Sequence, residues 1–342
     1  IAGDLFNSAL PRIDALKDTI AQLKRLREND IPVYFIPGSH DFSPQGRTML
    51  EVIELAGLGT NVMHGRVDAR GLLHLNPVLD VKTGAQLVGM YGRRGMLDRQ
   101  EYENLAPIQV DKSKPSIFLF HTLINELKTR ELEAVQGSSI DILPSGFDYY
   151  AGGHVHIRRS FSNPSYRNVV YPGPVFPNSF SELEALGTGS FVLYDETKEF
   201  GGGKDAPLHY THVAIPGKEV VALRIDAQGR SAQAVLEESL SLLEDASLDD
   251  KIVLLRFEGQ LAAGSTHDVD FKAIVQEAYA QGAYIVQKNS HKLSGQVFEQ
   301  VPTTSQDARH VEEEAISSHV GQLALPEGLG EKEVIKELIG SL

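Results

Sequence analysis

Val33-Tyr34-Phe35-Ile36-Pro37-Gly38-Ser39-His40-Asp41 spans residues 33–41 and carries the pattern on which the fold turns. Pro32 opens an apolar run that predicts a short buried strand, and Pro37 and Gly38 close it. Ser39, His40 and Asp41 therefore stand just past the strand's carboxyl end. The same arrangement recurs three times. Asp4 follows Ile1-Ala2-Gly3, His121 follows Ile117-Phe118-Leu119-Phe120, and Gly153-His154-Val155-His156 follows Tyr149-Tyr150-Ala151. In open α/β sheets that edge is where ligands bind. Glycines beside the polar residues let the backbone turn tightly and approach a ligand. Any one motif has a bland reading. Asp4 could cap a helix, a lone histidine after a strand is commonly a hydrogen-bonded structural group, and His154 and His156 could share one strand face. Together, in this order, they point to a metal site whose carboxylate and imidazole donors suit manganese, iron or zinc better than calcium.

Outward from these motifs, strand-like and helix-like stretches alternate. Leu10, Ile13, Leu16, Ile20, Leu23 and Leu26 predict a helix over Leu10 to Arg27, with Asn7 or Ser8 as its cap. Met49 to Leu55 predicts a second helix, Pro77 to Tyr91 a hairpin turning at Thr83-Gly84, and Leu123 to Val135 another helix. Val169 to Tyr171, Gly189 to Tyr194 and His209 to Ile215 read as strands. After Gly201-Gly202-Gly203, a flexible junction by composition, come strand Val220 to Ile225, helix Ala232 to Leu243, strand Ile252 to Phe257, helix Phe271 to Gln281 and strand Tyr284 to Lys288. Two short helices are expected in the tail, over Val311 to His319 and Glu331 to Leu338. The mixture indicates a layered α/β domain followed by a small separate α+β unit.

The 342 residues exceed what one core usually fills, so two or more domains are expected. The chain has no Cys, which excludes disulfides and thiolate ligands and fits a reducing compartment. No run of about 18 apolar residues predicts a membrane span. The net charge of -14 argues against a protein coated in basic surface, yet local groups and metals can still bind phosphate. Ile1-Ala2-Gly3-Asp4 reads as the end of a buried strand, so a segment upstream is expected.

The order Gly3-Asp4, Gly38-Ser39-His40-Asp41, Phe120-His121-Thr122, Gly152-Gly153-His154-Val155-His156 resembles the calcineurin-like metallophosphoesterase superfamily. Gly3-Asp4-Leu5-Phe6-Asn7, Ile36 to Asp41, and Tyr171-Pro172-Gly173-Pro174 with Ser179-Phe180 resemble one branch of it, the SbcD-like double-strand-break repair nucleases that partner an SMC-like ABC ATPase. The resemblance covers residues 1 to about 195 closely and reaches about residue 300 more loosely. It implies a four-layer β-sandwich with flanking helices as the metallophosphoesterase domain over 1–215, a DNA-capping α+β domain over 216–300, and a helical segment over 305–342 that grips the ATPase coiled coil.

By the same resemblance Asp4 bridges two Mn2+ ions, with Mg2+, Fe2+ or Zn2+ as second choices. His156 belongs to one metal and His121 and His154 to the other. His40 donates a proton or stabilises the scissile phosphate, and Asp41 orients it. The family's first Asp-x-His motif is not in this sequence and is expected upstream of Asp4. Ser39 stands where the family has a metal-binding Asn, so the second metal is expected to be held more loosely. The implied activity is that of a 3′-to-5′ exonuclease and single-strand endonuclease acting on DNA, as a homodimer, in a prokaryotic, nucleoid-associated cytoplasmic setting.

Arg93, Arg94, Arg99, Arg158 and Arg159 are the basic residues placed to meet DNA phosphates; the bland reading is solvated loop charge. Two other functions share the motifs. One is a metallophosphoesterase of small phosphodiesters, which has no need of the second unit or the tail. The other is a DNA-binding scaffold that has lost one metal site, favoured by Ser39 and the missing first motif.

Overall fold

A computed structural model describes residues 1–43, 46–92, 99–195, 197 and 209–295. The chain divides into two compact units, Ile1–Asn178 with Thr188–Gly217, and Ser179–Gly187 with the residues from Lys218 onward. The first begins with α1 (Ile13–Glu28), β1 (Tyr34–Phe35), α2 (Met49–Leu55) and β2 (Thr60–Asn61). Next come β3 (Gly65–Val67), β4 (Leu73–Leu75), β5 (Val78–Leu79), β6 (Gln86–Gly89), α3 (Arg99–Glu103) and β7 (Ser116–Phe120). They are followed by β8 (Tyr149–Gly152), β9 (Arg158–Phe161) and β10 (Val169–Pro172). Helix α4 (Phe180–Leu186) intervenes before β11 (Ser190–Tyr194) and β12 (Tyr210–Ala214). The second unit adds β13 (Val220–Asp226), α5 (Ala232–Glu244), β14 (Ile252–Gln260), α6 (Phe271–Ala280) and β15 (Ile285–Ser294) to α4.

The central sheet of the first unit has six strands in the order β5-β6-β7-β8-β10-β9. Its four inner strands are parallel, and only the edge strands β5 and β9 run antiparallel. The carboxyl ends of β6, β7, β8 and β10 therefore lie along one edge. Strands buried on both faces are read as near-continuous apolar runs, which is why Ser116–Phe120 and Tyr149–Gly152 stand out in sequence. One apolar cluster gathers Phe118, Phe120, Tyr150 and Tyr171. In another, Ile36 and Val62 meet Leu87 and Leu119. Helices α1 and α2 close over Phe35 through Leu23, Leu50 and Ile53. Strands β1 and β2 pair in parallel, and Ala2 bridges Ile36 in the same sense.

The α/β class expected from the sequence is the class observed, and the hairpin turning at Thr83-Gly84 forms as β5 and β6. Two local expectations are corrected. No helix spans Leu123 to Val135; short 3-10 turns at Asn125–Leu127 and Arg130–Leu132 take its place. The Ile124 amide bonds the Tyr171 hydroxyl at 3.0 Å, while Asn125 and Leu123 pair with Ser138 at 2.8 Å. These tertiary bonds hold the backbone extended against its helix propensity. Helix α1 begins at Ile13 with Arg12 as N-cap and no side-chain cap. Ser8 donates instead to the Leu10 carbonyl, and Leu10 and Ile13 are exposed.

The second unit is a parallel sheet, β13-β14-β15, whose crossovers are α5 and α6. The helix-facing core is Ile225, Val235, Leu255, Phe257 and Ile274. On the other face Leu183 of α4 meets Ile252 and Leu254. Glu184 receives Arg256 Nε at 3.0 Å and Arg224 Nε at 3.1 Å, which ties α4 to this sheet. Sequence reading did not anticipate α4. The junction at Gly201 to Gly203 and the tail helices after Val311 lie outside the described residues. No helix among the described residues is long and apolar enough to cross a membrane.

Candidate metal centre

The parallel strands bring the sequence motifs to one rim. Phe120 pairs with Gly152, so His121 and Gly153 leave neighbouring strands side by side. The Ala2–Ile36 bridge does the same for Gly3-Asp4 and Gly38 to His40. His121 is buried, with its side chain 1% exposed. Its Nδ1 lies 2.7 Å from the Ala2 carbonyl oxygen. A carbonyl only accepts, so Nδ1 carries a proton and the ring turns Nε2 toward Asp4. That Nε2 lies 3.1 Å from Asp4 Oδ2 yet has no hydrogen-bond partner of acceptable geometry. A buried, bare imidazole nitrogen beside a carboxylate oxygen, its other nitrogen locked to a backbone carbonyl, is the donor arrangement of a metal-binding histidine. The residues present therefore fit a divalent cation.

Asp4 sits in the left-handed region at φ 53°, and His154 does so at φ 84°. Both are uncommon for their side chains, and such backbone is typically retained where a site requires it. Burial raises the Asp4 carboxyl, but the His121 contact and the His40 amide, at 2.7 Å from Oδ1, outweigh it and hold the pKa below 3.8. The His154 ring stands 5.1 Å from that of His121, centroid to centroid. Desolvation against this wall, with the neighbouring His121, pushes His154 down to about 4, so its imidazole is neutral at pH 7. His156 is exposed, near enough for its charge to weigh on His154. Among the described residues, no three of the His, Asp and Glu side chains are drawn together as a finished cage. The tight element is the Asp4–His121 pair, with His154 beside it.

His40 lies at the exposed rim, its Nδ1 3.1 Å from the Asn7 carbonyl oxygen. Ser39 is buried. Asp41, expected to orient His40, accepts instead from the Gly38 amide at 2.8 Å and the Phe6 amide at 3.2 Å. Arg158, expected to face phosphate, gives its Nε to Ser190 Oγ at 2.8 Å and its Nη2 to the Thr188 carbonyl, so much of its guanidinium is already engaged. Arg99 pairs along its own helix with Glu103 at 2.9 Å. Arg159 is exposed on β9. Arg93 and Arg94 lie outside the described residues.

Sequence reading missed part of the wall around His121. A Cβ on Gly92 would overlap the carbonyl oxygen and ring of His121, and one on Gly153 would lie 2.8 Å from its Nδ1. Both positions require glycine for close approach. Gly92 lies three residues past the end of strand β6 and directly after the predicted hairpin Pro77 to Tyr91, a signal that was available. The buried Tyr102 hydroxyl, 3.3 Å from the His121 amide, gives none.

Residues 1–158 match the model of the calcineurin-like phosphoesterase family. The chain is similar to proteins named DNA double-strand break repair protein Mre11. That of Archaeoglobus fulgidus is 28% identical over 179 residues, covering 51% of this chain and 40% of the relative. That of Sulfurisphaera tokodaii is 31% identical over 195 residues, covering 54% and 44%. That of Sulfolobus acidocaldarius is 25% identical over 284 residues, covering 75% and 63%. The chain thus spans about half the length of these relatives. Residues 1–158 thus resemble the calcineurin-like phosphoesterase family, and the chain is similar to proteins named for DNA double-strand break repair.

Proposed function

We propose that this chain is a metal-dependent nuclease of DNA double-strand-break repair. The observation that carries the reading is the bare, buried His121 Nε2 beside the Asp4 carboxylate, at a sheet edge that also gathers His40 and His154. In this reading Asp4 would serve both of two cations. His121, His154 and the Ser39 hydroxyl would hold one, and His156 would serve the other. When bound, a pair of divalent cations, Mn2+ by the family resemblance, neutralises the phosphate and lowers the pKa of a bound water.

The chain's own side chains prepare that chemistry. Asp4 is an anion at neutral pH and His154 a neutral base, so neither must lose a proton to bind a cation. The backbone lock on His121 Nδ1 fixes the ring before any ligand arrives. His40, at the rim with Nδ1 facing the Asn7 carbonyl, is oriented to hand a proton from Nε2 to the leaving 3′-oxygen. Arg159 and Arg99, with Arg93 and Arg94, supply charge for the DNA backbone. The relatives' names support DNA repair as the setting and DNA as the substrate.

The finer assignments rest on the family resemblance: 3′-to-5′ exonuclease and single-strand endonuclease action, partnership with an SMC-like ABC ATPase through residues 305–342, DNA capping by residues 216–300, and a nucleoid-associated site of action. Homodimer formation has one further support, since Leu10, Ile13, Val52 and Leu55 of the α1 and α2 region are exposed. Incubation with Mn2+, double- and single-stranded DNA and a small phosphodiester tests the reading. Metal-dependent DNA cleavage that is lost in His121→Ala is expected. Hydrolysis of the small ester with DNA left intact contradicts it.

A further inference from the structure

We propose that Asp41 is a positioning residue that staples the loop carrying Asp4 to the loop carrying His40, and that it serves the metal centre by placing Asp4 rather than by orienting the His40 ring. The inference rests on the proposed metal centre.

Asp41 is 1% exposed, and its two carboxylate oxygens are divided between two segments. Oδ2 accepts the Gly38 amide at 2.8 Å, within its own loop. Oδ1 accepts the Phe6 amide at 3.2 Å, across 35 positions of sequence. Phe6 lies two residues past Asp4, and its own side chain is buried. Gly38 lies so close beneath Asp4 that a Cβ there would overlap the Asp4 amide and Oδ1 and stand 2.6 Å from His121 Cε1. The two loops are thus in van der Waals contact where one carboxylate bonds to both. A second link, the His40 amide on Asp4 Oδ1 at 2.7 Å, runs in the opposite direction. Backbone amides on a buried carboxylate are strong, charge-assisted bonds, and their geometry fixes the segments that supply them.

His40 takes its orientation elsewhere. Its Nδ1 faces the Asn7 carbonyl oxygen, on the loop that Asp41 holds. The Asp41 carboxylate meets the Gly38 and Phe6 amides, and the Asn7 carbonyl that faces the His40 ring lies one residue beyond Phe6. Removing the staple should loosen Asp4 first, because Asp4 occupies a left-handed conformation that an unrestrained loop would leave.

Asp41→Asn replaces one acceptor oxygen with an NH2 group that cannot accept an amide. Three measurements on the full chain decide the matter: Mn2+ affinity by calorimetry, hydrogen exchange of the Phe6 and Gly38 amides, and both repeated in the His40→Ala background. The staple predicts a loss of about 10- to 100-fold in Mn2+ affinity, the size expected when a group supporting a metal ligand is removed. It predicts faster exchange at one or both amides, and the same Mn2+ loss when His40 is already alanine. His40→Ala alone should leave Mn2+ affinity and both amides unchanged, a result that stands whether or not Asp41→Asn folds. Unchanged Mn2+ affinity in Asp41→Asn overturns the proposal. So does exposure of the two amides by His40→Ala, since the two residues would then act as one unit. A wild-type chain that bound no Mn2+ would remove the metal reading alone, and amide exchange would still judge the staple.

Discussion

His121 shows how a single residue is prepared for one task. Its ring is walled by Gly3, Gly38, Gly92 and Gly153, each at a distance only a glycine permits. Gly92→Ala must push the ring or the strand away, and overpacking of this kind costs about 2 kcal/mol. A thermal melt should show the loss, and Mn2+ binding should weaken with it because the His121 Nε2 direction shifts. Asp4→Asn removes the anionic ligand without removing bulk. Its Mn2+ affinity should fall by at least about 100-fold, more than for loss of a supporting group, while the melting temperature changes little. Calorimetry checks the first and circular dichroism the second. These candidate ligands were legible because each stands at the end of an apolar run, Asp4 and His154 after a glycine and His121 directly after Phe120. The support was not legible, since nothing local in Tyr102, or in the Ala2 carbonyl, says that the fold will carry it to His121. The family resemblance implied that Asp41 orients His40, whereas its carboxylate accepts from the Gly38 and Phe6 amides, partners that nothing local in the sequence announces.

At the scale of elements, short pieces are fixed by local chemistry and by a few long bonds. Helix α2 is held at its start by a capping box in which Thr48 Oγ1 accepts the Glu51 amide and Glu51 accepts the Thr48 amide, each at 3.3 Å. Thr48→Ala should cost about 1 kcal/mol, read by denaturant unfolding. Helix α4 depends instead on Glu184, side chain 12% exposed, which is paired with the partly buried Arg256. Glu184→Gln leaves that guanidinium short of its partner and should destabilise the second unit by about 3 kcal/mol. Arg256, with a smaller opposing effect of desolvation, holds the Glu184 pKa below its ordinary 4.5. The unfolded chain therefore binds the proton first as pH falls. The stabilisation is complete above about pH 4.5 and is lost as pH drops through the folded pKa. Acid titration followed by unfolding should show that loss in the wild type and a smaller one in Glu184→Gln. Helix α4 escaped sequence reading because seven residues carry little periodicity, and its anchor lies 72 positions away. Leu123 to Val135 erred in the opposite direction: good helix formers were overruled by Tyr171 and Ser138.

Across the whole molecule, parallel β7 and β8 and the parallel Ala2–Ile36 bridge bring motifs scattered over some 150 positions to one rim. The strands were legible as continuous apolar runs, but their order was not, because pairing is set by contacts distant in sequence. The exposed Ile13 and Leu55 give a test at this scale: the double variant Ile13→Asp and Leu55→Asp should sediment as a monomer if α1 and α2 form the dimer contact. The central claim is that Asp4, His121 and His154 share a metal at that rim. Anomalous diffraction at the manganese edge, from crystals grown with Mn2+, tests it most directly. A peak coordinated by the Asp4 carboxylate, His121 Nε2 and the His154 ring is the predicted result. Manganese bound elsewhere, with His121 Nε2 facing Asp4 and no metal between them, would contradict it.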